Sequence, residues 1–133
     1  MIYVLDACAG IALLRRELGE AVVWSYLSDP VATCFAHAIN LCEIYYDFYR
    51  DAGEWAAEGS IVDLKALNVV ERNDFDEAFW KDVGRLKAQG KISLADCCAI
   101  VLTNRVGGTL LTSDHHELDR IAAAGICSIM FIR

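Results

Sequence analysis

The chain has 133 residues, 56% of them hydrophobic and only one a proline, which predicts a single folded domain with a sizeable core and excludes a disordered or disulfide-stapled scaffold. Its formal net charge of −7 excludes a generic basic nucleic-acid-binding module, but not a nuclease whose carboxylates gather around a cation. No apolar run reaches membrane-spanning length, and the start Met1-Ile2-Tyr3-Val4-Leu5 has no preceding Lys or Arg and is broken by Asp6, so a signal peptide is not expected and a cytoplasmic location is.

Residues 2–5 read as a buried strand ending on Asp6, followed by helices over about 7–16 and 20–28, the second stopped by Asp29-Pro30. A second strand is expected over 31–35. An amphipathic helix over 37–51 then repeats Ala38, Leu41, Cys42, Tyr45, Phe48 and Tyr49 at helical spacing and stops at Gly53. A looser helix covers 54–65, with a break expected at Gly59-Ser60, and a short third strand covers 67–70. Residues 74–89 read as a helix with Asp74 and Glu77 in capping-box relation and Gly90 as its stop.

The most informative stretch runs from Ile92 to Asp119. Ser93 caps a helix with Asp96 in its first turn; the helix is almost continuously apolar through Cys97, Ile100, Val101 and Leu102 and ends at Gly107-Gly108. A helix this apolar is buried on most sides, which puts Asp96 at the rim of a core. The strand Thr109-Leu110-Leu111-Thr112 breaks at Ser113-Asp114 into a helix over about 115–124, and residues 126–132 supply a last strand. Strands alternating with helices predict an α/β/α sandwich with a mainly parallel sheet. In such sheets ligands bind at the carboxyl ends of the strands, where Asp6 and Asp114 stand.

The six cysteines, Cys8, Cys34, Cys42, Cys97, Cys98 and Cys127, form no C-x-x-C pair and sit mostly in apolar segments, so they are expected to be reduced and incidental to function. Zinc held by Cys97, Cys98 and His115-His116 is disfavoured, because adjacent helical residues point about 100° apart.

Taken singly, each of Asp6, Asp96 and Asp114 reads more readily as a helix cap or dipole partner than as a ligand, and Asp114-x-x-Glu117 is itself a capping box. Taken together, carboxylates at one sheet edge repel one another unless a cation or raised pKa values relieve them. Mg²⁺ and Mn²⁺ prefer oxygen ligands and suit such a site, which serves in-line displacement at a phosphoryl group. No serine in a strained elbow accompanies His115 and His116, and no Gly-rich phosphate loop is present.

The set Val4-Leu5-Asp6-Ala7, Leu41-Cys42-Glu43, Leu94-Ala95-Asp96 and Leu111-Thr112-Ser113-Asp114 resembles the PIN domain family, and within it the VapC-type toxins of bacterial toxin–antitoxin pairs. The resemblance spans the whole chain. It implies a three-layer α/β/α sandwich around a parallel sheet of about five strands, and Mg²⁺- or Mn²⁺-dependent cleavage of RNA. By position, Asp6, Glu43, Asp96 and Asp114 match the family's acidic quartet, with Asp6, Asp96 and Asp114 as metal ligands. Thr112 matches its accompanying hydroxyl residue, and Glu117 and Asp119 lie near enough to be auxiliary. Cys8 stands where the family often has Ser, Thr or Asn. The partners implied are an RNA substrate, a cognate antitoxin that blocks the site, and a second copy in a homodimer; a membrane is not among them.

Glu43 rests chiefly on that resemblance. The helical wheel places it opposite Leu41, Tyr45, Phe48 and Tyr49, beside Ile39, Tyr46 and Arg50, where a solvated Glu fits as well as a ligand. The surplus of aromatics on this helix is compatible with core packing or with a partner. Two other classes remain. An aspartyl phosphoacceptor or phosphohydrolase domain usually has a second acid two residues after the first, where Cys8 stands, and a late lysine, which is absent after Lys91. A non-catalytic PIN-fold binding module is the third.

Overall fold

The first strand, β1 (Ile2–Leu5), is apolar throughout because it lies at the centre of a sheet covered on both faces. The computed structural model describes residues 1–133. After β1 come α1 (Ala7–Leu14), α2 (Glu20–Leu27), β2 (Thr33–His37), α3 (Ala38–Ala52), α4 (Glu54–Ala66), β3 (Val69–Arg72), α5 (Glu77–Gln89), α6 (Leu94–Val106), β4 (Thr109–Thr112), α7 (His115–Ala123) and β5 (Ile129–Phe131). The five strands are all parallel, in the order β3-β2-β1-β4-β5. The chain builds outward from β1 through β2 to β3, then returns to lay β4 on the other side of β1. The crevice between the ends of β1 and β4 is therefore the topological switch point, where parallel sheets hold their ligands.

Strand alternation separates two cores. Tyr3 and Leu5 of β1 join Ala9, Leu13, Val23, Ile44 and Leu64 on the face covered by α1–α4. Val4 points the other way, to Phe79, Val83, Ile100, Leu102 and Leu118 on the face covered by α5–α7. The three-layer sandwich expected from the sequence is thus present. Residues 95–103 of α6 are buried without interruption, as their composition requires. Gly107 ends that helix at φ 66°, in the left-handed region open to glycine. At Gly108, a Cβ would lie 2.8 Å from the Ile2 carbonyl oxygen, so β4 can enter beside β1 only with a glycine there.

Several expected boundaries move. β2 and β3 each begin two residues later than their apolar composition suggests, and β5 shrinks to three residues, because pairing with the neighbouring strand sets a strand's limits. α4 is not broken at Gly59-Ser60: Ser60 is buried and its hydroxyl donates to the Ala57 carbonyl at 2.7 Å, so the helix accommodates it. The capping box of Asp74 and Glu77 does not form. Asp74 is instead clamped by Arg72 at 2.8 Å and Arg105 at 3.1 Å, and α5 begins only at Glu77. All six cysteines are free, with Cys42 exposed. No helix is long and apolar enough to cross a membrane.

Candidate functional site

Asp6 leaves the end of β1 and caps α1, its Oδ1 accepting the Ala9 N–H at 2.9 Å. Its other oxygen, Oδ2, accepts a hydrogen bond from the buried Thr112 hydroxyl at the end of β4. Thr112 Oγ1 in turn accepts the Asp114 N–H at 3.0 Å. Asp114 caps α7, its Oδ1 accepting the Glu117 N–H at 3.1 Å. The capping box is only half formed, because Glu117 does not reach back to Asp114. Its Oε2 accepts the Ser93 N–H at 3.1 Å instead, and Ser93 Oγ caps α6 by accepting the Asp96 N–H at 3.2 Å. One run of hydrogen bonds thus ties the ends of β1 and β4 to the starts of α6 and α7. Ser93 does the capping of α6, which leaves the Asp96 carboxyl group free of backbone duty.

That freedom brings Asp96 to its neighbours. One oxygen from each of Asp96, Asp114 and Glu117 lies within 4.8 Å of the others. Burial pushes the Asp6 carboxyl up to about 7; the hydrogen bonds from Thr112 and Ala9 oppose this, and the charges of Asp114 and Glu43 add to it. Asp96 is also held well above the carboxylate range, first by burial and then by its hydrogen bond to Glu117 and the charges of Asp6 and Asp114. Glu117 is correspondingly lowered, chiefly by that same hydrogen bond. The two carboxyl groups therefore titrate as a coupled pair.

Glu43 is half-buried on α3, and its charge acts on Asp6. Burial and then the charge of Glu117 raise its pKa, while the Tyr46 hydroxyl lowers it. The sequence leaves Glu43 open between solvent and site, and α3 is gripped on two sides. Leu41 and Ile44 pack in the core shared with α1 and α4, while Asn40 reaches α6, its amide donating to the Ala95 carbonyl at 3.4 Å. Asp119 is not part of the cluster: it is exposed and bound to His115 at 2.8 Å. His115 also stacks on Phe131 and hydrogen-bonds the Arg133 carbonyl through Nε2 at 2.7 Å, a surface role.

Cys8 and Asn40 lie next to these acids, and His37 starts the helix that carries Glu43. Cys8, in the first turn of α1, has its thiol pushed up to about 12 by burial and by the charges of Asp6, Asp96 and Asp114. Asn40 is fully buried between α3 and α6, and its Oδ1 has no hydrogen-bond partner in the protein. His37 caps α3 through Nδ1, which accepts the Ile39 N–H at 3.1 Å, while Nε2 meets the Asp74 carbonyl at 2.8 Å. Sequence reasoning does not single out Asn40 or His37. Asn40 lies off the apolar repeat of α3, so the sequence carries no signal for it.

The donors suit a hard divalent cation. They are all carboxylate oxygens, three of them close together, and Asp6 and Asp96 retain protons at a pH where carboxylates normally ionise. A cation would relieve the repulsion that those protons now relieve.

The comparison with known families decides the lineage: a PIN domain model matches residues 3–124. The chain belongs to the PIN domain family. No curated protein matches it significantly. Among solved structures, this PIN domain is similar to VapBC2 from Rickettsia felis bound to a DNA fragment of its promoter, with a TM-score of 0.75 and 16% identity over 98% of each chain. It is similar to VapBC-1 from nontypeable Haemophilus influenzae, with a TM-score of 0.71 and 22% identity over 99% of this chain and 98% of that one. It is also similar to Mycobacterium tuberculosis VapC20, a toxin that cleaves the sarcin–ricin loop, with a TM-score of 0.71 and 15% identity over 94% and 95%. At these identities the likeness is one of fold.

Proposed function

We propose that this PIN domain is a metal-dependent endoribonuclease and the toxin of a toxin–antitoxin pair. The observation that carries the reading is the convergence of Asp96, Asp114 and Glu117 within 4.8 Å, beside a buried Asp6, at the switch point of a parallel sheet. VapC20, which shares the fold, is described as cleaving the sarcin–ricin loop, an RNA.

Asp6, Asp96 and Asp114 would hold Mg²⁺ or Mn²⁺, with Glu117 and Glu43 at its margin. A divalent cation bound there supplies Lewis-acid polarisation of a phosphodiester and lowers the pKa of water. The chain's own groups have separate tasks. Thr112 orients Asp6 through its hydroxyl and fixes Asp114 through the Asp114 N–H, so the two strand-end acids move as a unit. Ser93 does the same for Glu117 and Asp96. Glu43, partly buried with its pKa raised, is suited to accept a proton from an attacking water as the phosphodiester bond breaks.

The phosphoacceptor alternative fits less well. The residue two places after Asp6 is Cys8 rather than an acid, and no lysine follows Lys91 to hold a phosphoryl group. A cognate antitoxin is supported by the VapBC structures that share the fold. An antitoxin arginine could pair bidentately with the acids and exclude the cation. A homodimer is the assembly we assign to the toxin.

The test is an RNA cleavage assay in Mn²⁺ and in chelator, run beside Asp96→Asn. New RNA ends should appear only with metal and with Asp96 intact. Metal-independent cleavage, or an active Asp96→Asn, would remove the cluster from the chemistry. Co-expression should also recover a small antitoxin bound to the chain.

A further inference from the structure

Positive charge is unevenly spent on this surface. Of the 12 Lys and Arg residues, eight are in ion pairs with carboxylates, which leaves Arg16, Lys87, Lys91 and Arg120. Three of these four lie on the helices and the loop next to Ser93 and Glu117. Lys87, near the end of α5, donates to the Ile92 carbonyl at 2.7 Å, which fixes its ammonium over the loop leading to Ser93. That loop is the one whose Ser93 N–H holds Glu117. Lys91 is exposed in the same loop, two residues before Ser93. Arg120 is exposed one turn beyond Glu117 on α7, and residues at i and i+3 are neighbours on a helix. Arg16 lies past the far end of α1, about 12 Å of helix away from Asp6.

A polyanion approaching a chain of net charge −7, and a pocket of carboxylates, is repelled by both. Paired cations do little against this, because each is cancelled within a few ångströms and screened within about 8 Å. Only uncompensated cations can draw the backbone in. We propose that Lys87, Lys91 and Arg120 form the track that receives the phosphates of single-stranded RNA beside the acid cluster. Lys87 and Lys91 act as point charges on the α6 side of the cluster, and Arg120 presents its planar fork on the α7 side. The strand thereby crosses the starts of α6 and α7, past Ser93 and Glu117, and lays a phosphodiester over the carboxylates. The proposal rests on the nuclease reading above.

The test uses the full chain, a fluorescent single-stranded oligoribonucleotide and a KCl series at fixed Mn²⁺. In Lys91→Gln/Arg120→Gln, both exposed positions, KM should rise roughly three- to tenfold with kcat unchanged. The slope of log(kcat/KM) against log[KCl] should fall by about 1.4, at about 0.7 for each phosphate of the single strand that is no longer neutralised. Lys87→Gln, which removes one charge, should raise KM and lower the slope by about 0.7, and Lys87→Arg should restore the original values, which separates charge from loop packing. Arg16→Gln should change nothing. Cleavage that proceeds with KM and slope unmoved in the double variant would overturn the track and leave the nuclease reading intact. If no RNA is cleaved in any metal, the nuclease reading falls instead. The track is then judged by anisotropy of the same RNA on the chain and its double variant, and equal affinity overturns it.

Discussion

Replacing Asp96 by Asn separates a ligand carboxylate from a structural one by the sign of a stability change. In the metal-free protein Asp96 is nearly buried at 9% exposure, and its hydrogen bond to Glu117 adds to burial in raising its pKa. An Asn amide can make that hydrogen bond without ever ionising, so none is lost. The acid, by contrast, must either keep its proton or repel its neighbours; two carboxylate charges about 5 Å apart repel by roughly 3 kcal/mol at an effective dielectric of about 20. Acids whose folded pKa lies above 3.8 stabilise the fold fully below that pH and lose the contribution as pH rises through the folded value. For Asp6 that value is about 7, and Asp96 is raised as well. Between pH 4 and 8 the metal-free chain should therefore lose stability, and Asp96→Asn should lose less. At pH 7.5 in chelator the variant should melt at the same temperature or up to about 5 °C higher, since 1 kcal/mol is worth about 3–5 °C in a chain of this size. Mn²⁺ at a hundredfold excess over Kd should add about 2.7 kcal/mol, or roughly 10 °C, to the unmodified chain and far less to the variant. Melting curves of both proteins in chelator and in Mn²⁺, at pH 5 and 7.5, read all of this. A variant less stable in chelator, with an undiminished Mn²⁺ response, would refute the reasoning, because Asp96 would then be serving the helix dipole alone.

The acidic network on the opposite side of α6 should show the reverse pH dependence. Asp74 is held down to about 2, first by its hydrogen bond to Arg72, so its contribution is complete above pH 4 and lost as pH falls towards 2; screened by water, it is worth about 1–2 kcal/mol, measurable as the difference between Asp74→Asn and the unmodified chain in urea unfolding at pH 7 but not at pH 2. Thr112→Val should cost about 1–2 kcal/mol in the same assay, because the Asp114 N–H loses its acceptor and Asp6 a donor, and it should weaken Mn²⁺ binding; an unchanged Mn²⁺ titration would mean the hydroxyl does not organise the acids. Gly108→Ala should cost about 1–3 kcal/mol without altering the Mn²⁺-induced shift, since the added methyl meets the Ile2 backbone and not the site; a neutral effect on melting would show that β4 can move away from β1.

The acids at the strand ends and the capped α6 are legible in the sequence because local rules and the global fold agree there. An apolar run followed by Asp is a strand end whether read alone or in the sheet, and Ser93-x-x-Asp96 is a helix start in either setting. Glu43 is legible only through the family's pattern. A helical wheel assumes one buried face, and α3 has two: one towards α1 and α4, the other towards α6. The same assumption hides Asn40, which is buried on the face that a single-stripe wheel leaves to solvent. Asp74 and Glu77 fail for a different reason. Their spacing satisfies a local capping rule, but Arg72 and Arg105 are brought to Asp74 by tertiary structure and offer three charge-assisted bonds in place of one neutral N–H. The half-formed box at Asp114 repeats the contest at the site itself. Asp114 does cap Glu117, as the spacing dictates, yet Glu117 turns away to Ser93 and Asp96. A capping motif and a ligand cluster are thus not rival readings here. The first half of the motif holds Asp114 in place, and the half it forgoes releases Glu117 to join the cluster.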